Sequence, residues 1–156
     1  MPEQTLVSEG SIAPDFRLKS DDDKTYSMSQ FRGKKEVVLY FYPKDDTPGC
    51  TKEACSFRDT ASNFASKDVQ VLGVSLDDLD SHTKFRSKYS LNFPLLSDPD
   101  HKVADAYGVY KLKNMYGKEF WGIERSTFII DKLGKIKKAY RRVQVDGHTD
   151  DILRNI

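Results

Sequence analysis

Both cysteines of the chain lie in one short stretch, "FYPKDDTPGCTKEAC" at positions 41–55. The thiolate, not the thiol, attacks electrophiles and binds metals, so the chemistry of such a pair depends on where each proton sits. Cys50 and Cys55 are candidates for buried filler, half of a metal site, a clamp, or a nucleophile with its partner.

Local signals place Cys50 where an anion is favoured. Thr47 is a preferred helix N-cap, Pro48 suits the first helical position, and Gly49 lets the backbone pass tightly. Cys50 then falls in a first turn, where unpaired N–H groups and the helix dipole stabilise negative charge. A thiol there loses its proton more readily. The competing role is a small, inert apolar residue ending a core stripe. Cys55 lies about 140° further round an ideal helix, with its Cα about 8.7 Å from that of Cys50. Disulfides need roughly 4.4–6.8 Å. The thiols either never meet or meet when the first turns unwind, and a helix N-terminus frays most easily. Geometry alone therefore makes a thiol switch available without showing that it is used.

Other chemistries find little support. Structural zinc needs four ligands, usually as two close pairs. His82, His101 and His148 are widely separated, have no paired spacing, and are read as surface residues. Neither a serine–histidine–aspartate arrangement nor a glycine-rich phosphate loop occurs. With 25 basic and 24 acidic residues the net charge is +1, which gives no footprint for nucleic acid or an anionic membrane. The basic cluster Lys132, Lys135, Lys137, Lys138, Arg141 and Arg142 reads as the solvated face of a hairpin. No apolar run approaches the length of a membrane span, and "MPEQTLVSEG" lacks the basic start and apolar stretch of a secretion signal. Two cysteines make no disulfide framework. The expected setting is a reducing cytoplasm, where any disulfide is transient.

The elements that must position the thiols follow from the hydrophobic pattern. The 156 residues, 38% hydrophobic and 31% charged, suit one globular domain spanning 1–156. Residues 1–11 read as a loose start, and "DFRLKS" and "TYSMS" flank "DDDK" as a short N-terminal hairpin. "EVVLYFYP" (36–43) is a continuous apolar run, expected as a strand buried on both faces and ending at Pro43. Over 50–66, Cys50, Ala54, Phe57, Ala61 and Phe64 form one helical stripe. "VQVLGVSL" reads as a second buried strand, "SHTKFRSKYS" as a polar helix, and "FPLLSD" as a short strand. "HKVADAYG" is expected as a helix stopping at Gly108, and "RSTFIID" as a strand turning through "KLG" into "KIKKAYRRV". "TDDILRNI" closes as a helix capped by Thr149. Strands alternating with helices and finishing in a hairpin indicate an α/β sandwich with a mixed central sheet flanked by helices.

"YPKDDTPGCTKEAC" resembles the active-site segment of the peroxiredoxins, the thiol-specific antioxidant family, and most nearly its Q-type group, the bacterioferritin comigratory proteins. Pro43, Thr47 and Cys50 match the family pattern, and Cys55 occupies the second cysteine of many Q-type members. "APDFRL", "VLGVSLD", "FPLLSD", "VADAYGV" and "ERSTFIID" resemble the family's successive segments in order, so the likeness covers nearly the whole chain. It implies a thioredoxin-like fold and a peroxidase acting on hydrogen peroxide and organic hydroperoxides with no metal or organic cofactor. Cys50 would attack the peroxide and become a sulfenic acid. Cys55 would resolve it as an intramolecular disulfide, reduced by thioredoxin or a glutaredoxin-like dithiol, in a monomer. Arg125 would favour the thiolate and polarise the peroxide. Thr47 would hold the peroxide, Pro43 would shield the sulfur, and Glu53 would orient Arg125. Asp45 and Asp46 oppose a thiolate unless outweighed or turned outward. A thioredoxin-like disulfide oxidoreductase, which lacks its C-x-x-C pair here, and a redox sensor are the alternatives.

Overall fold

The computed structural model describes residues 7–156. Strands β1 (Arg17–Lys19) and β2 (Thr25–Ser27) form the N-terminal hairpin, with β3 (Glu36–Phe41) following. Helix α1 (Pro48–Ala65), β4 (Val69–Ser75), α2 (Leu79–Tyr89), β5 (Leu95–Ser97) and α3 (Lys102–Ala106) come next. The chain continues through β6 (Tyr110–Met115), β7 (Lys118–Ile123), β8 (Ser126–Ile130) and β9 (Ile136–Arg141) to α4 (His148–Arg154). Five strands make the central sheet in the order β5-β4-β3-β8-β9. It is mixed: β3 pairs with β4 in parallel and with β8 antiparallel.

The apolar run of β3 reflects its central place. Alternate side chains enter two cores, Val37, Leu39 and Phe41 on one face and Val38 and Tyr40 on the other, continued by Tyr42. The first core packs against α3 and residues of the N-terminal segment such as Phe16 and Phe31. The second packs against α1 through Cys50, Ala54, Phe57 and Phe64, against α2 through Phe85, and against α4 through Ile152. Burial of Phe57 alone, whose ring stacks on Tyr40 at 4.5 Å, is worth about 1.5–3 kcal/mol.

Several expectations are corrected. The β3 ladder stops at Phe41, although the Tyr42 amide still donates to the Val74 carbonyl at 3.0 Å. Ala61 is only half-buried, and Glu53 joins the buried face of α1 instead. Residues 1–6 of the expected loose start lie outside the described residues, whereas Gly10, Ser11 and Ala13 bond to the turn and start of β9. Gly147, not Thr149, caps α4; Thr149 is buried in the first turn and bonds the Ser56 hydroxyl at 2.7 Å. Within the basic cluster Arg141 is half-buried rather than fully solvated, because its guanidinium lies over the Phe128 ring and donates to the Val7 carbonyl. The hairpin of β6 and β7 was not anticipated. Its signal is two six-residue runs around Tyr116-Gly117, both at positive φ as a tight hairpin turn requires.

Candidate active site

The site forms where β3 ends and α1 begins. Phe41 pairs with Ser126, so the antiparallel register delivers Arg125, just before β8, to the carboxyl end of β3. There the guanidinium forks. Nη2 donates to Cys50 Sγ at 3.2 Å and Nη1 to Glu53 Oε1 at 2.6 Å. Cys50 and Glu53, three residues apart, share one face of α1 and are each 1% exposed. Gly49 leaves room for this: a Cβ there would sit 3.1 Å from Arg125 Nη2.

Thr47 is the N-cap by backbone, with Pro48 in the first turn, but its hydroxyl caps nothing. It donates to the Lys44 carbonyl at 2.9 Å, which leaves its oxygen lone pairs free of the helix N–H groups. The side-chain cap expected from its residue type is thus absent. Pro43 is half-buried in the loop between β3 and α1. Cys55 is half-buried further along α1, and both cysteines are free thiols. The fold brings Cys50, Glu53 and Arg125 into contact and sets Thr47 at the same helix start; Cys55 is not bonded to Cys50.

Burial pushes the Glu53 carboxyl up to about 7, against the opposing pull of Arg125. Arg125 is also raised: burial disfavours its charge, but the negative groups at Glu53 and Cys50 outweigh that. Glu53 Oε2 and the Tyr40 hydroxyl are buried without hydrogen-bond partners.

Asp45 and Asp46 turn away toward α2. Asp45 accepts from the Tyr42 hydroxyl at 2.6 Å, from Ser81 Oγ at 2.8 Å and from His82 Nδ1 at 2.6 Å. Asp46 pairs with Lys88 and accepts from the Tyr89 hydroxyl. The surface reading of the histidines fails for two of them. His82 is 0% exposed, with Nε2 at 2.9 Å from the Leu96 carbonyl; His148 is buried, bonding Thr127 Oγ1 at 2.8 Å. Sequence reasoning missed the tie between Asp45 and His82 because 37 residues separate them and neither carries a local motif. It also missed Lys113 of β6, whose ammonium is disfavoured by burial and by nearby Arg125. Among the described residues no cluster of metal-ligating side chains occurs, and no helix is long and apolar enough to cross a membrane.

The sequence pattern of the AhpC/TSA family matches residues 10–139. The chain is 50% identical over 150 residues to "Peroxiredoxin Bcp" of Bacillus subtilis, covering 96% of this chain and 95% of that protein. It is 43% identical to "Peroxiredoxin Q, chloroplastic" of Triticum aestivum over 96% of this chain and 67% of the relative. A mutant PrxQ of Xylella fastidiosa superposes with a TM-score of 0.90 at 36% identity, covering 96% of this chain and 95% of that one. The bacterioferritin comigratory protein of Xanthomonas campestris gives 0.84 at 40% identity, covering 89% and 88%; its structures concern alkyl peroxide reduction. The mixed sheet flanked by helices is the thioredoxin-like fold of these neighbours.

Proposed function

We propose that this chain, which belongs to the AhpC/TSA family, is a two-cysteine thiol peroxidase that turns over through Cys50 and Cys55. Family membership carries the peroxidase activity, a peroxide substrate and the need for a reductant. The observation that carries the residue roles is the Arg125 fork, which presents a fixed cation to Cys50 Sγ inside a water-poor site. Cys50 attacks the nearer peroxide oxygen and becomes a sulfenic acid. Negative charge moves from sulfur to the leaving oxygen, and a preorganised guanidinium stabilises it throughout. The free lone pairs of Thr47 Oγ1 suit the peroxide O–H, Pro43 screens the loop side, and Glu53 holds the guanidinium flat toward sulfur.

Cys55 then condenses with the sulfenic acid. Both cysteines are helical, so their Cα atoms are about 8.7 Å apart by helix geometry and the first turns of α1 must unwind. An N-cap side chain commonly contributes about 1 kcal/mol, and α1 forgoes it, which lowers the cost of opening. Thioredoxin or a glutaredoxin-like dithiol reduces the disulfide, with hydrogen peroxide and organic hydroperoxides as substrates. A single domain over residues 1–156, acting as a cytoplasmic monomer, completes the reading.

The Cys55→Ser variant tests it. We expect one rapid turnover that leaves Cys50 as a sulfenic acid trappable by a dimedone-type reagent. Sustained cycling with thioredoxin would remove Cys55 from the resolving role.

A further inference from the structure

We infer that Cys50 and Glu53 share a single proton across the Arg125 guanidinium, and that Glu53 releases it as the leaving oxygen of the peroxide takes one up. The inference rests on the thiol peroxidase reading and concerns its proton balance.

Two acids face one cation. Arg125 gives one hydrogen bond to Cys50 Sγ and one to Glu53 Oε1, and both acids are 1% exposed. On neighbouring positions of one helix face, two buried anions repel strongly, so one of them keeps a proton. Glu53 Oε2 has no partner, which a full carboxylate tolerates poorly and a protonated carboxyl better. Burial pushing Glu53 up to about 7 agrees with this.

Among the described residues no charged group other than Arg125 hydrogen-bonds to either acid. From β3, the Tyr40 hydroxyl is buried and partnerless. From α4, burial pushes His148 down to about 4, so it is neutral at pH 7. From β6, Lys113 is held down by burial and by Arg125, with Cys50 and Glu124 pulling the other way more weakly. Glu124, beside Arg125, is taken up by Arg142.

In the reactive state Cys50 is thiolate and Glu53 carboxylic acid. The sulfur–oxygen bond forms as the oxygen–oxygen bond breaks; sulfur is oxidised and the peroxide reduced. The departing oxygen becomes water or an alcohol by gaining a proton, and Glu53 loses one. The site therefore carries one negative charge before and after, on sulfur first and on the carboxylate afterwards. Condensation with Cys55 expels water and exchanges no further proton with solution.

The test mixes reduced, full-length protein with one equivalent of hydrogen peroxide in weakly buffered solution at neutral pH. An indicator dye reports proton uptake, and thiol loss is followed in parallel. Wild type should take up almost no protons per disulfide formed. Glu53→Gln, which keeps the bond to Arg125 but has no proton to release, should take up about one. Equal uptake by the two proteins would overturn the proposal. Thiols that survive peroxide in both would instead refute the peroxidase reading itself. Should the variant not fold, infrared difference spectra of wild type decide. Oxidation should remove a protonated-carboxyl C=O band and add carboxylate bands, and no such exchange would overturn the proposal.

Discussion

On the α2 side of the loop between β3 and α1, the buried polar groups are fully matched. Both oxygens of Asp45 accept hydrogen bonds, its amide donates to Asp77 Oδ2, and His82 has an acceptor at each ring nitrogen. On the α1 side, a few residues along the same chain, Glu53 Oε2 and the Tyr40 hydroxyl are unmatched and two acids share one guanidinium. Buried polar groups that are fully satisfied fix a structure, whereas unsatisfied ones cost stability and persist where chemistry needs them. The first cluster holds the loop that carries Pro43 and Thr47; the second surrounds the sulfur of Cys50.

The comparison can be broken most severely at Arg125. Arg125→Ala should lower the rate constant for peroxide reduction by about 10²–10³-fold, in the range for loss of a preorganised donor. Stopped-flow kinetics check it. A matched cluster behaves differently. His82→Leu strands Asp45 in the interior, and loss of one member of a buried pair should cost about 3–5 kcal/mol in urea unfolding while the sulfur chemistry survives in the folded fraction.

The two buried histidines sharpen the contrast through pH. Burial works against charge on His82, but its bond to Asp45 wins and raises it above 6.5. Its stabilising contribution is therefore complete below pH 6.5 and is lost as pH climbs through the raised value. Burial lowers His148 from 6.5 to about 4, so the unfolded chain takes the proton first. Stability should fall as pH drops from 6.5 toward 4, by up to about 3 kcal/mol. Unfolding curves of His82→Gln should lose the alkaline decline, and those of His148→Gln the acid one. The smallest effect is expected at Gly49→Ala. Its Cβ would press Arg125 Nη2 from 3.1 Å, displacing the guanidinium by a few tenths of an ångström and slowing peroxide reduction by about tenfold or less.

What the sequence disclosed divides along the same line. Helix α1, its start at Thr47 and Pro48, and the alternating strands were legible because caps, proline and periodicity act locally. Resemblance alone singled out Arg125, 75 residues from Cys50; its contact with the sulfur depends on the pairing of β3 with β8. The burial of His82 and His148 could not be read, since polar residues reach the interior only through distant partners such as Asp45 and Thr127. Thr149 looked like a cap by type, but Gly147, in a left-handed conformation, starts α4 two residues earlier.

The central claim is that Cys50 attacks peroxide and Cys55 captures the product. Its most direct test mixes the reduced protein with one equivalent of hydrogen peroxide and follows free thiols and intact mass against time. The account predicts rapid loss of both thiols, with a mass decrease of two hydrogens, abolished in Cys50→Ser. A protein that retains both thiols and its mass, or reacts equally well without Cys50, would contradict it.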